Sequence, residues 1–380
     1  MAEQAGMAST RFQTCHLRGA NVEGVAPSLE SSSAASKLVM GFQEGYRQPF
    51  AGQQGRGSEA GNAASDHNRV AGAVHAGMLA AAFRCLWMRD QLEQILSKER
   101  DLLRGRCLTS VEPVGGGEVG ACWRAELSDG TAWFLKVTAP AQLEAEQRGL
   151  RCLRRWADGD LVEVVDVLAW LPLEPQGILV LPWWEMGTGD QFNLGRGLAR
   201  LHRRSALNGP GRFGWDDDSF IGLGPQPAGW RARWGEAFVA LRLEPQLRLA
   251  GAWSLPANDW SSLLDPLAAW LGQHACEPCL VHGDLWAGNA GVLADGRGLL
   301  IDPASWWADR EVDLAMTQLF GGFSRRFLDG YNLEWPLQEG VEQRVDALNL
   351  YHLLNHANLF GGGYQQRCRR VINKLRSTLL

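Results

Sequence analysis

Three oxygen-bearing side chains stand close together in the stretch LVHGDLWAGNAGVLADGRGLLIDPA, from Leu280 to Ala304: Asp284, Asn289 five residues on, and Asp302 at the end of the apolar run Leu299-Leu300-Ile301. Moving a terminal phosphoryl group between oxygens requires a carboxylate beside the acceptor hydroxyl and hard oxygen ligands for magnesium. Asp284 suits the first role; Asn289 and Asp302 suit the second. The turn Ala294-Asp295-Gly296-Arg297, set between two short apolar runs, predicts a hairpin that returns Asp302 to the loop carrying Asp284. An ordinary His-Gly-Asp turn and a strand-end cap would account for each group singly, but not for their order.

The elements that must position these groups begin near Met88. Leu92, Ile95, Leu96, Leu102 and Leu103 predict an amphipathic helix over Arg89–Arg104. Short β-type runs follow at Leu108–Val114, Cys122–Leu127 and Ala132–Val137, an expected antiparallel meander. Gly115, Gly116 and Gly117 lie between the first two, where backbone amides can approach phosphates because no Cβ intervenes. Lys136 ends the third run, placed to pair with nucleotide phosphates. The next segment, Ala141 to Trp156, is helical in period, and Glu146 on it, or less favourably Glu144, can hold Lys136 in position. Val162–Trp170 and Gly177–Trp183 predict two further strands and a five-stranded sheet. The crossing Leu179-Val180-Leu181-Pro182-Trp183-Trp184 then leads to a second lobe. Leu181, Trp183 and Trp184 are its candidates for contact with an adenine; Pro182 has no N–H, so a donor must come from a neighbour such as Trp184.

Beyond the crossing the period is helical, at Phe192–Arg203, Trp230–Leu243, Ser262–His274, Glu311–Phe320, Val341–Leu359 and Gln365–Leu380. Between the first two lies PGRFGWDDDSFIGLGPQPAG, too rich in Gly, Pro and Asp for regular structure and long enough to suggest a functional loop. The expected architecture is α+β: an N-lobe over 88–184 with a small antiparallel sheet and one helix, and a larger, mainly helical C-lobe over 185–380.

The chain of 380 residues, 46% hydrophobic and 21% charged, has the composition of a soluble globular protein. A net charge of −5 provides no electrostatic footprint for nucleic acid, and no basic run points to an anionic membrane. Eight scattered cysteines and the lack of a secretory signal pattern lead to an expected reducing, cytoplasmic setting. Cys276-Glu277-Pro278-Cys279, preceded by His274, resembles half of a zinc or redox site, without a second pair to complete it. Residues 1–87, dominated by Ala, Gly, Ser and Gln without apolar period, read as a disordered head. Within that head, Val70–Met88 is apolar but made mostly of Ala and Gly and interrupted by His75 and Arg84, which makes it a poor membrane span.

The spacing Asp-x-x-x-x-Asn is that of the protein-kinase catalytic loop, with His282-Gly283-Asp284 in the form found in small-molecule kinases. From about Met88 to Leu380 the chain resembles the fructosamine kinase, or ketosamine-3-kinase, family, whose protein-kinase-like fold is shared with aminoglycoside and choline kinases. The likeness rests on HGDLWAGNA, IDPASWW, FGGF, YHLLNHANLFGGGY and the long loop's FGW, FIG and PQP, followed by RLEPQL. It implies that Asp284 is the base, that Asn289 and Asp302 bind Mg2+, that Lys136 holds ATP, and that Trp286 packs on the sugar, with His356 a weaker substrate candidate. The implied partners are ketosamines, as free metabolites or on glycated proteins, and the implied outcome is deglycation. Asp218-Ser219-Phe220 departs from the family's Asp-Asn before Ile-Gly, and Leu359 stands where a polar residue is expected. The acids Asp216-Asp217-Asp218 keep a cationic acceptor, aminoglycoside- or choline-like, as the alternative, and a non-catalytic binding protein of this fold is the second.

Overall fold

The computed structural model describes residues 85–115 and 120–380. The readings made for 1–84, and for Gly116 and Gly117, therefore lie outside the described residues. Helix α1 (85–96) is already formed at Cys85, upstream of the boundary expected at Met88. Cys85 and Met88 both lie against the core that Leu92 and Leu96 enter.

The first sheet contains β1 (Leu108–Val114), β2 (Ala121–Leu127), β3 (Ala132–Thr138), β5 (Ala169–Leu173) and β6 (Gln176–Pro182), in the order β1-β2-β3-β6-β5. All its pairings are antiparallel. Alternation along each strand decides which side chains reach the site. Trp133, Leu135 and Val137 on β3, with Ile178 and Val180 on β6, enter a core with Leu92, Leu96 and Leu103. Phe134 and Lys136 consequently project from the opposite face, into the cleft. Helix α2 (Pro140–Trp156) places Leu143, Leu150 and Leu153, together with Leu179 and Leu181, in a second, larger core that continues through the helical part of the molecule.

The expected strand Val162–Trp170 is split in two. Val162–Val164 (β4) pairs in parallel with β13 (Gly298–Leu300), outside the five-stranded sheet, whereas Ala169 and Trp170 open β5, which completes that sheet against β6. Val162 and Val164 are both buried, and a strand this short carries no signal of its partner. The hairpin expected around Asp295-Gly296 is present, with β12 (Ala290–Val292) antiparallel to β13.

The helical part contains α3 (Phe192–Asn208), α4 (Trp234–Phe238), α5 (Glu244–Leu249), α6 (Leu264–Leu271), α7 (Glu311–Leu319), α8 (Arg325–Glu334), α9 (Val341–Phe360) and α10 (Gly363–Leu379). The expected single helix at Trp230–Leu243 is instead β10 (Gly229–Arg231), α4 and a π-helical turn, Val239–Leu243. Helix α8 was not predicted. It packs on α3, where a Cβ on Gly195 would come within 2.0 Å of the Phe327 carbonyl oxygen and one on Gly330 within 2.1 Å of that of Phe192. Gly330, which weakens α8 as a sequence signal, and Gly195 on α3 are thus what permit the close crossing.

The loop expected to be irregular also has regular parts. β7 (Phe213–Trp215), β8 (Ser219–Ile221), β9 (Gly224–Gln226) and β10 are short strands. Of these, β7 and β10 join β14 (Trp306–Ala308) and β11 (Cys279–Val281) in a four-stranded sheet. β8 and β9 pair with each other as a tight hairpin, while β7 also gains a partner distant in sequence, β14; three-residue strands rich in Gly and Pro owe their pairing to such neighbours more than to local propensity. Among the described residues no helix is long and apolar enough to cross a membrane.

Candidate active site

The loop that carries Asp284 follows β11, and its shape is set by Gly283 and one buried carboxylate. Gly283 has φ +84°, and a Cβ there would lie 2.1 Å from the Ala304 carbonyl oxygen, so no side chain fits between His282 and Asp284. The Asp313 carboxylate on α7 accepts the N–H groups of His282 (2.7 Å) and Gly283 (2.8 Å), while His202 Nε2 lies 3.1 Å away. Burial would raise the Asp313 carboxyl, but the His202 hydrogen bond, the two neighbouring imidazoles and the backbone donor hold it below its ordinary value. Asp313 was not among the predicted site residues. It belongs to no local motif, and its position becomes meaningful only once α7 is packed under the loop.

His282 is fully buried and lies 2.8 Å through Nε2 from the Ile301 carbonyl, with the Asp284 N–H 3.3 Å from Nδ1. Donation from Nε2 and acceptance at Nδ1 require the neutral ring, in accord with the lowering of its pKa by burial. The histidine thereby ties this loop to the segment that ends in Asp302. Asp302 has φ +51°, a left-handed conformation that Asp adopts more readily than most residues.

Asn289 directs its amide NH2 to the Asp284 carbonyl (3.0 Å), to Asp284 Oδ2 (3.1 Å) and to the Asp302 carbonyl (3.3 Å). With the nitrogen so engaged, the carboxamide oxygen is the atom of Asn289 suited to a cation. Lys136 Nζ lies 2.7 Å from Glu146 Oε2 and 2.6 Å from Asp302 Oδ1. Burial would lower the lysine's pKa, but the Asp302 and Glu146 carboxylates outweigh it and raise it, so the ammonium stays charged. Glu144, the alternative partner, is exposed on α2. Lys136, Glu146, Asp284, Asn289 and Asp302 all line one cleft of about 300 Å³.

Gly115, Leu181, Trp183 and Trp184 line the same cleft. The Trp183 N–H is spent on the Ala132 carbonyl at 3.0 Å, which leaves Trp184 as the next amide along the crossing. Phe134, Leu299 and Ile301 also line the cleft and were not predicted as site residues. Their signal lay in strand alternation: each sits on the face opposite a core residue. Cys122 lines it too, its thiol pushed up to about 11 chiefly by burial.

On the other side Trp286 faces the cleft. Its ring occupies space that a side chain at Gly288 would fill, since a Cβ there would lie 2.3 Å from it, and it packs edge-on to Phe320 at 6.4 Å. His356 is buried behind that wall, 5.0 Å from Phe320 and 5.1 Å from Tyr364, with Nδ1–H donating to the His352 carbonyl at 2.9 Å. It is not among the residues lining the cleft. Phe220 and Gly222 of the long loop do line it. The loop is tied to α9 by Asn355 Nδ2, which donates to the Ile221 carbonyl at 3.3 Å, and by Gln226 Nε2, which donates to Tyr351 Oη at 2.8 Å. Asp216 accepts Trp230 Nε1–H, Asp217 pairs with Arg148, and Asp218 accepts the Ala228 N–H. These acids secure the loop, and none of them lines the cleft.

The fructosamine kinase family model matches residues 90–378. A probable ketoamine kinase of Synechocystis sp. is 43% identical over 245 residues, covering 64% of this chain and 82% of its own length. One from Vibrio cholerae is 34% identical over 296 residues, covering 76% and 98%. Among solved structures, a presumed fructosamine-3-kinase from Thermobifida fusca superposes with a TM-score of 0.64 at 31% identity, covering 74% of this chain and 99% of that one. The aminoglycoside phosphotransferase APH(4)-Ia shares the fold, with a TM-score of 0.50 at 16% identity over 74% of this chain and 98% of that one.

Proposed function

The chain belongs to the fructosamine kinase family, and we propose that it transfers the terminal phosphoryl group of ATP to the 3-hydroxyl of ketosamines, the sugar adducts of amines. It is a phosphotransferase with an alcohol acceptor, and the family uses ATP. The observation that carries the finer reading is the meeting, in one cleft, of the Lys136–Glu146–Asp302 ion cluster, the Asn289-held Asp284 carboxylate and the Trp286 ring.

In this reading Lys136, kept charged and aimed by Glu146, binds the nucleotide phosphates, and the apolar slot of Phe134, Leu181 and Ile301 takes the adenine. The hard oxygens of Asn289 and Asp302 suit Mg2+, which when bound would offset charge on the transferring phosphoryl group. Asp284, its orientation fixed by Asn289, accepts the proton of the attacking hydroxyl. Trp286 offers an aromatic plane to the apolar face of the sugar. With Asp284 held against rotation, the chain's contribution is positioning and electrostatic stabilisation.

A 3-phosphate makes the adduct labile. Loss of a proton from C1 gives the enaminol, phosphate leaves C3 as the C3–O bond breaks, and water adds to the resulting imine to release the amine. No further enzyme is needed for deglycation by this route. The acceptor is a free ketosamine or one carried on a glycated protein. A cationic acceptor recognised by clustered acids is disfavoured, because Asp216, Asp217 and Asp218 are already engaged within the loop and with Arg148.

The test is a panel of fructosamines, ribulosamines, aminoglycosides and choline with ATP–Mg2+, with products identified by mass and by position of the phosphate. A ketosamine 3-phosphate with the highest kcat/KM is expected. Higher kcat/KM for an aminoglycoside or choline than for every ketosamine would leave the kinase fold standing and overturn the acceptor assignment.

A further inference from the structure

The register of β11 against β14 pairs Cys279 with Ala308. The segment entering β11 and the residue leaving β14 are therefore neighbours, and His274, Cys276 and Asp309 meet there, outside the cleft. One imidazole nitrogen, one sulfur and one carboxylate oxygen lie within 4.8 Å of one another, the only such group of three metal-binding side chains among the described residues.

Two features distinguish it from a chance meeting of polar side chains. Asp309 is 1% exposed; its Oδ1 accepts the Glu311 N–H at 3.0 Å, whereas its Oδ2 accepts no hydrogen bond from the described residues. That oxygen nonetheless sits 3.0 Å from His274 Nε2. Two ligand atoms sharing a tetrahedral ion at about 2.0–2.1 Å stand about 3.3 Å apart, so a close, poorly directed N···O approach is the spacing that a common cation would produce. Glu311 Oε1 is the next oxygen, 3.5 Å from His274 Nε2, but its carboxylate is gripped by Arg344 at 2.6 and 2.7 Å and serves as an outer neighbour. Cys279 points into the core. Ala275 and Glu277, on either side of Cys276, are exposed, so a fourth position is open to solvent.

We propose that His274 Nε2, Cys276 Sγ and Asp309 Oδ2 bind one divalent cation of the zinc class, with water as the fourth ligand. Mixed imidazole, thiolate and carboxylate donors favour such an ion over magnesium, which takes oxygen ligands. The cation would tie the 272–278 segment, which leads into the catalytic loop, to the residues that begin α7, four positions before Asp313. It would thus brace both supports of the loop from outside the active site.

The experiment uses the full chain, stripped with chelator and titrated with Co2+ in excess Mg2+. The expected result is a thiolate-to-cobalt charge-transfer band in the near ultraviolet that saturates at one equivalent and is abolished by added Zn2+. Cys276→Ser should remove the band, and His274→Ala should weaken binding by at least about a hundredfold, beyond the ten- to hundredfold typical of an outer-shell partner. Cys122→Ser, which alters the thiol nearest the cleft, should leave the band in place. Failure of the wild-type chain to develop the band at one equivalent overturns the proposal without reference to any variant. So does a band that survives Cys276→Ser or disappears with Cys122→Ser.

Discussion

In the proposed reading the cleft has a nucleotide side, where Lys136 holds Glu146 at 2.7 Å and Asp302 at 2.6 Å, and an acceptor side. On the acceptor side Trp286 is seated by the space left at Gly288 and by Phe320, and the loop beside it hangs from Asn355 and Tyr351 of α9. The first side is made of charges that lock each other in place. The second is made of local aromatic packing and of neutral hydrogen bonds that join residues more than a hundred positions apart. A side fixed by charge fits a cofactor that does not vary. A side fixed by packing can be re-cut for a different acceptor by changes in the loop, without disturbing the chemistry.

The sharpest break in this comparison comes at Asp284, which stands where the two sides meet. Asp284→Asn keeps the size of the side chain and removes the carboxylate, so kcat should fall by about 10²–10⁴, as for a lost general base. The thermal midpoint should move little and ATP binding should persist. Steady-state kinetics beside a nucleotide-binding titration check both halves; unchanged kcat would take the base role from Asp284.

A smaller effect, confined to one side, is expected from Trp286→Ala. Removing the ring should raise the acceptor KM by about ten- to two-hundredfold, the equivalent of about 1–3 kcal/mol for a lost apolar and stacking contact. The KM for ATP should change far less. If both constants rose together, the two sides would not be separable and Trp286 would be supporting the catalytic loop instead of the sugar.

The same division explains what was legible in the sequence. That Asp284, Asn289 and Asp302 would meet was readable from their short spacings and from the turn chemistry of the hairpin at Asp295-Gly296, and that Lys136 would join them in one cleft from its place on the third strand. Glu146 was favoured over Glu144, and the helix buries one and exposes the other. Asp313 was not readable, because its partners are two backbone N–H groups some thirty residues earlier. The short strands β7 to β10 were not readable either, since a three-residue run of Gly, Phe and Pro has no preference until a neighbour supplies the pairing. His356 was placed by its neighbourhood to Asn355, yet α9 directs it into the aromatic wall behind Trp286.

The smallest effect tests the acceptor side's support. His352 on α9 is fully buried, and neither ring nitrogen has a hydrogen-bond partner among the described residues. Burial, with a lesser push from His356, drives its pKa from 6.5 down to about 3. The ring is therefore neutral when folded and takes up a proton on unfolding at any pH between those values. Its contribution is complete above about 6.5 and is lost progressively as pH falls towards 3, with a limiting slope of about 1.4 kcal/mol per pH unit. His282 and His356, whose pKa values burial also lowers, act in the same direction. Glu146, which burial pushes up to about 7, titrates in the opposite direction between pH 7 and 5, so the share of His352 is read from the difference between the wild-type chain and a variant. His352→Leu, similar in volume and without a proton to bind, should remove about 2 kcal/mol of acid destabilisation over the interval, leaving stability at pH 7.5 nearly unchanged or slightly raised because two unpaired buried nitrogens are gone. Denaturant midpoints at the two pH values measure it. An unaltered acid slope in the variant would mean that His352 finds a partner or a proton in the folded chain, and that α9 is less dry behind the acceptor wall than its packing indicates.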